Sequence, residues 1–144
     1  MSYDTDYVAW AQQQAALLRS HRFGDLDLEL LAQEIEDLPK SEQRAIRNQL
    51  VRLMMHLLKW RYQPQRRGES WIDSVQDART QIEGVIEENP SLWAYPAAQV
   101  EACYPKARRI AARQTKLPLA TFPEVCPWAR DEVLDEDFLP EATP

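Results

Sequence analysis

The sequence predicts an all-α protein, a helical bundle of about five main helices followed by an extended, acidic, proline-containing C-terminal arm. Apolar residues recur at spacings of three and four through most of the chain, as on the buried face of a helix. No stretch shows the apolar–polar alternation of a strand for long enough to predict one. With 144 residues and 44% hydrophobic content, the chain can form one packed domain. We therefore predict a bundle over residues 1–121 and an arm over residues 122–144 that packs on the same domain.

The first two predicted helices cover about residues 6–20 and 27–38. Apolar residues at helical spacing define both of them: Tyr7, Val8, Ala11, Ala15 and Leu18 in the first, and Leu28, Leu31, Ile35 and Leu38 in the second. Pro39 lacks a backbone N–H, and a proline commonly ends a helix. The second helix is therefore predicted to stop there.

The longest predicted helix begins at Ser41, a residue type favoured at helix starts, and runs to about Tyr62. Its apolar residues alternate steps of four and three, the pattern of a bundle helix: Ile46, Leu50, Leu53, Leu57 and Trp60. Pro64 and Gly68 then predict a turn.

Three further helical segments follow this turn. One runs from Gly68 or Ser70 to about Glu88, and the next covers residues 91–115. Pro96 and Pro105 interrupt the latter, so we expect two pieces or a kink. Within the arm, a short helix is predicted over residues 127–134, with a proline at its first position.

Composition excludes several classes of function. Only three glycines occur, none of them close together, which argues against a phosphate loop or a dinucleotide fingerprint. No segment approaches the roughly 20 apolar residues of a membrane span, and the first residues lack a signal-peptide pattern. We therefore expect a soluble, cytoplasmic protein without a cofactor. Its two cysteines, Cys103 and Cys126, are expected to be free thiols.

The acidic charge is concentrated in the arm. Residues 122–144 contain seven acidic residues and one arginine, a net charge of −6, which equals the net charge of the whole chain. Residues 1–121 are therefore neutral as a set. It follows that the acidic total does not exclude anionic ligands for the helical part.

The stretch His56 to Trp71, HLLKWRYQPQRRGESW, combines cations and aromatic residues around a turn. Guanidinium groups beside aromatic rings can bind a phosphate and stack a base or ring. The candidate binding residues are Lys59, Arg61, Tyr62, Arg66, Arg67 and Trp71. The alternative is that Trp60 and Trp71 belong to the core and the cations form a solvated turn.

Two charged residues fall inside apolar helical faces. Glu34 lies between Leu30 and Leu38 on its helix, and Arg79 lies within the apolar face of another, with His56 at the edge of a third. Charges that point at a core need partners. We therefore predict a buried polar network of Glu34, His56 and Arg79. Its alternative function is acid–base catalysis by Glu34 and His56.

Other chemistry has little support. The residue three before His56 is a leucine, so the Glu-x-x-His pattern of di-iron bundles is absent from the sequence. Cys126 has no candidate base beside it. We assign no catalytic residue and no metal ligand.

Five segments together resemble a bacterial family known as domain of unknown function 29, across nearly the whole chain. They are YDTDYVAW, FGDLDLELLAQEIEDL, HLLKWRYQPQRR followed by SW, NPSL, and LPLATFPEVCPW. The resemblance implies a small helical bacterial protein, and it implies no activity or ligand.

The leading hypothesis is a non-enzymatic protein-interaction module that uses the cationic–aromatic turn. Its partner is another protein or a second copy of the chain, and the arm, from Asp131 to Asp137, is a candidate internal partner for Arg66 and Arg67. One alternative is a nucleic-acid-associated regulator that uses these arginines and the cations between Lys106 and Lys116. The other is an enzyme built on the polar network.

Overall fold

The computed structural model describes residues 2–141, and within this range it contains five α-helices and no strand. The helices are α1 (Tyr7–Arg19), α2 (Leu28–Tyr62), α3 (Glu69–Glu88), α4 (Tyr95–Thr115) and α5 (Arg130–Leu134). Short 3₁₀ turns separate the first four: Phe23–Asp25, Pro64–Arg66 and Pro90–Leu92. A fourth, Leu119–Thr121, follows α4. The all-α prediction is confirmed.

The chain forms two compact units, one that ends at Lys40 and one that begins at Ser41. The long helix α2 contributes its first part to the first unit and its remainder to the second. The described residues of the C-terminal arm belong to the second unit.

The predicted helix end at Pro39 is wrong, because α2 runs through this proline without a break. A proline inside a helix removes one hydrogen bond, to the carbonyl four residues before it. Residues on both sides of Pro39 are mostly good helix formers, so the other bonds continue the helix.

Pro105 likewise lies inside the single helix α4, so of the two predicted alternatives, two pieces or a kink, the first is wrong. Pro96 lies in the first turn of α4, where a missing N–H costs no helical bond.

The core of the second unit forms on the predicted seam of α2. Ile46, Leu50, Leu53 and Leu57 are each 0% exposed, and buried residues of α3 and α4 pack with them. The arm adds three buried apolar side chains to this core: Phe122, Trp128 and Val133. Burial of these three side chains removes apolar surface from water, and it therefore helps to hold the arm on the second unit.

Two polar side chains of α4 fix the start of the arm. The Tyr104 hydroxyl donates to the Pro123 carbonyl at 2.6 Å, and Arg108 donates to the carbonyls of Phe122 and Leu119. Arg108 is therefore used inside the protein, although the sequence placed it among the candidate phosphate-binding cations.

Both cysteines are free, as predicted, with Cys103 buried and Cys126 half-buried. Burial raises the pKa of each thiol, which lowers the thiolate fraction of both.

Candidate functional site

The cationic–aromatic turn is organised by contacts within the protein. The Lys59 ammonium lies 4.9 Å from the centroid of the Trp71 ring, and the Arg67 guanidinium lies 4.5 Å from that of Trp60. Arg67 Nε also donates to the Trp60 carbonyl at 2.7 Å. Such cation–π contacts stabilise the fold by about 0.5–1 kcal/mol each at exposed sites.

Other predicted binding residues of the turn also make contacts within the protein. The Arg61 guanidinium lies 5.4 Å from the Tyr62 ring, and the Lys59 ammonium also donates to Gln114 Oε1 at 3.1 Å. Burial lowers the pKa of Lys59. Arg66 is exposed. The turn thus uses three of its cations to order aromatic residues, and ligand binding there stays a prediction.

Each residue of the predicted network, Glu34, His56 and Arg79, has hydrogen-bond partners within its own unit, and the network itself stays a prediction. Glu34 is half-buried and accepts hydrogen bonds from two tyrosines of its own unit. Arg79 is only 4% exposed, as predicted, but it donates to the main-chain carbonyls of Val133 and Glu136. Main-chain oxygens of the arm therefore accept from Arg79, where the sequence predicted a carboxylate as its partner.

His56 has a local partner within α2. Its Nδ1 donates to the Arg52 carbonyl at 2.9 Å, one helical turn earlier. Burial lowers the pKa of the imidazole below its usual value of 6.5, and the nearby charges of Lys59 and Arg52 act in the same direction.

We expect His56 to titrate below pH 6.5 and to make the protein less stable in mild acid. Its pKa is lower in the folded state, so the unfolded chain binds a proton first as the pH falls, and stability decreases. NMR titration of the imidazole signals tests the first point. Urea unfolding at about pH 7.5 and 5.5, compared with His56→Gln, tests the second. Titration at or above 6.5, or an unchanged pH dependence in the variant, contradicts this expectation.

Residues 2–40 form a helical hairpin, which we call the N-terminal hairpin. One carboxylate links its two helical segments. Glu34 on α2 accepts from the Tyr7 hydroxyl at 2.7 Å and from the Tyr3 hydroxyl. The hydrogen bond to Glu34 raises the pKa of Tyr3 to about 12 and is also the main cause of the raised pKa of Tyr7. Both phenols therefore stay protonated donors over the physiological range.

A second carboxylate joins the hairpin near its turn. Trp10 Nε1 donates to Asp27 Oδ2 at 2.6 Å, and the Gln14 side chain accepts from the Asp27 backbone N–H at 2.9 Å. The Trp10 ring also makes an edge contact with Tyr3, at 5.0 Å between centroids. Polar bonds and aromatic contacts thus fix the geometry of the hairpin.

Few side chains of the hairpin are buried. Among residues 2–40 only Trp10 and Gln14 are buried. Seven large apolar side chains are instead at least 46% exposed: Tyr7, Val8, Leu18, Phe23, Leu28, Ile35 and Leu38. Isolated exposed apolar residues are normal, whereas this many within one short unit are unusual for a monomeric protein.

Three of these residues line up along α2. Leu28, Ile35 and Leu38, with the half-buried Leu31, follow steps of three and four and so share one side of the helix. We call these four residues the apolar stripe. At 100° per residue, Glu29 and Glu36 flank the stripe on the side away from α1. The N-terminal hairpin therefore offers an apolar stripe with an acidic border, and this is the candidate functional site.

Helical spacing predicts the stripe as a core face, because spacing alone does not say what covers that face. It also missed the partners of Glu34. The pair Tyr3 and Tyr7 carries that signal, since two phenol hydroxyls close together in the sequence are available donors for a carboxylate.

These features define a small all-α protein with a helical core and an exposed N-terminal hairpin. The chain belongs to the family described as Domain of unknown function DUF29, whose model matches residues 2–139. No curated protein and no solved structure matches it.

No helix in residues 2–141 is both long enough and apolar enough to cross a membrane. In the same range, no group of three or more His, Cys, Asp or Glu side chains is placed to hold a metal ion.

Proposed function

We propose that this protein is a non-enzymatic protein-interaction module whose N-terminal hairpin binds a basic, amphipathic helix of a partner protein. The observation that supports this most directly is the apolar stripe, on which Leu28, Ile35 and Leu38 are each at least 64% exposed. A stripe at steps of three and four is the surface that an amphipathic partner helix fits.

The internal bonds of the hairpin favour docking as well. The bonds from Tyr3 and Tyr7 to Glu34, and from Trp10 to Asp27, hold the two helical segments together without using the apolar stripe. The apolar surface is therefore available to a partner in a fixed arrangement. A preordered surface loses less conformational entropy on binding, which increases affinity.

Charge favours a basic partner over a second copy of the chain. Residues 1–40 contain eight acidic and three basic residues, a net charge of −5. Two such hairpins packed together would repel one another, whereas Lys or Arg beside the leucines of a partner helix would face Glu29 and Glu36. Complementary charge of this kind increases specificity and the rate of association.

The first test uses a designed peptide of leucine and lysine, about four helical turns long, with its leucines on one face. We expect it to bind the full chain, and the double variant Leu28→Ser/Ile35→Ser to weaken binding by about tenfold or more, since a few apolar anchors dominate such interfaces. Fluorescence anisotropy of the labelled peptide measures this.

The matched control is Val125→Ser, which changes an apolar residue that is 75% exposed but lies outside the hairpin. It should leave the affinity unchanged, and a peptide with glutamate in place of lysine should bind more weakly. Equal binding of the two peptides, or an equal loss in the control variant, contradicts the proposal. Concentration-dependent dimerisation that depends on Ile35 would assign the stripe to a second copy instead.

A further inference from the structure

A cavity of about 380 Å³ lies between α2 and α4, within the second unit. Its volume falls in the range of small-molecule sites, about 300–1,000 Å³. Three of its lining residues are cations, and no acidic residue is among the described ones that line it: Arg44, Arg47, Asn48, Val51, Ala102, Cys103 and Lys106. A chain with a net charge of −6 therefore concentrates positive charge at this point.

Helical spacing brings these residues together. Arg44, Arg47 and Val51 follow steps of three and four on one side of α2, and Ala102 and Lys106 are one turn apart on α4. The cations thus come from two helices that also form the core, and rigid elements position binding groups more accurately than loops do.

Arg47 is held in place by a hydrogen bond from its Nη1 to the Tyr95 hydroxyl, at 2.6 Å. A guanidinium has five N–H donors, so this bond leaves donors for a ligand. Burial raises the pKa of the Cys103 thiol, and the charges of Arg47 and Lys106 oppose that rise. Both cations therefore act on the same part of the cavity wall.

We propose that this cavity binds a small phosphomonoester, with Arg44, Arg47 and Lys106 around the phosphate and Val51 and Ala102 beside the organic group. Three cations match a phosphate dianion better than the single charge of a carboxylate, and Arg presents paired donors to phosphate oxygens. The site is independent of the N-terminal hairpin, because each of its lining residues lies in the second unit.

The test is an NMR titration of the isotope-labelled full chain with phenyl phosphate, inorganic phosphate and benzoate. We expect phenyl phosphate to bind tightest, since only it supplies both a dianion and an apolar group, and benzoate to bind about tenfold more weakly or worse. The largest shifts should fall on Arg47, Val51 and Ala102. No shift at these residues, or equal affinity for benzoate and phenyl phosphate, overturns the proposal.

Two matched double variants distinguish this site from a general attraction of anions. Arg44→Gln/Lys106→Gln should weaken phenyl phosphate binding by about tenfold or more, because it removes two of the three cations. Arg109→Gln/Arg113→Gln changes two exposed cations of α4 outside the cavity and should have no effect. An equal loss in both, or a single-stranded oligonucleotide that binds more tightly than phenyl phosphate, would overturn the proposal in favour of a surface that binds nucleic acid.

Discussion

Replacing Leu53 by Ala is expected to lower the free energy of unfolding by about 2–5 kcal/mol. Leu53 is 0% exposed and lies at the centre of the α2 seam, between Leu50 and Leu57, which are also fully buried. Truncation removes apolar area from the core and leaves a cavity that the neighbouring helices fill only in part. Urea unfolding followed by far-UV circular dichroism measures the loss.

The matched control is Leu38→Ala, on the same helix. Leu38 is 68% exposed, so its truncation should change stability by about 0.5 kcal/mol or less. If the two variants lose the same stability, Leu53 does not occupy the core position described. A spectrum dominated by strand would contradict the all-α fold as a whole.

The sequence was sufficient for most of the fold because core burial leaves a periodic signal. The α2 seam from Ile46 to Leu57 and the bounds of α3 follow from apolar spacing and from Gly68 and Asn89 at its ends. The predicted helix end at Pro39 and the predicted division at Pro105 were wrong, because a proline removes only one helical hydrogen bond. Local sequence does not reveal whether neighbouring bonds and packing outweigh that loss.

The candidate site was harder to predict, because partners distant in the sequence decide how a residue is used. A charge within an apolar face, such as Glu34, requires a partner, but periodicity does not identify it. The structure supplies tyrosine hydroxyls for Glu34 and arm carbonyls for Arg79. In the same way, the apolar stripe has the spacing of a core face, and only the three-dimensional contacts reveal that Leu28, Ile35 and Leu38 are exposed.

Replacing Arg79 by Met is expected to lower the free energy of unfolding by about 2–4 kcal/mol and to expose the arm to proteases. Arg79 is 4% exposed, and its Nε donates to the Val133 carbonyl at 3.0 Å while its Nη1 donates to the Glu136 carbonyl at 3.4 Å. Without the guanidinium, both carbonyls lose a charged donor, and hydrogen bonds to charged groups are worth about 1.5–3 kcal/mol each. Methionine keeps much of the side-chain volume, so lost packing contributes little to the result.

The expected loss is smaller than the sum of the two bonds for a physical reason. Burial lowers the pKa of Arg79, a sign that the charge is costly to desolvate, and the nearby Asp135 and Asp137 offset that cost only in part. Its Nη2 is also buried without a partner among the described residues, and Met removes this unsatisfied donor.

Limited proteolysis together with urea unfolding measures both effects of Arg79→Met. The control is Arg66→Met, which changes an exposed arginine of the turn. If Arg66→Met releases the arm and Arg79→Met does not, then the arm docks on the turn, as the sequence first suggested.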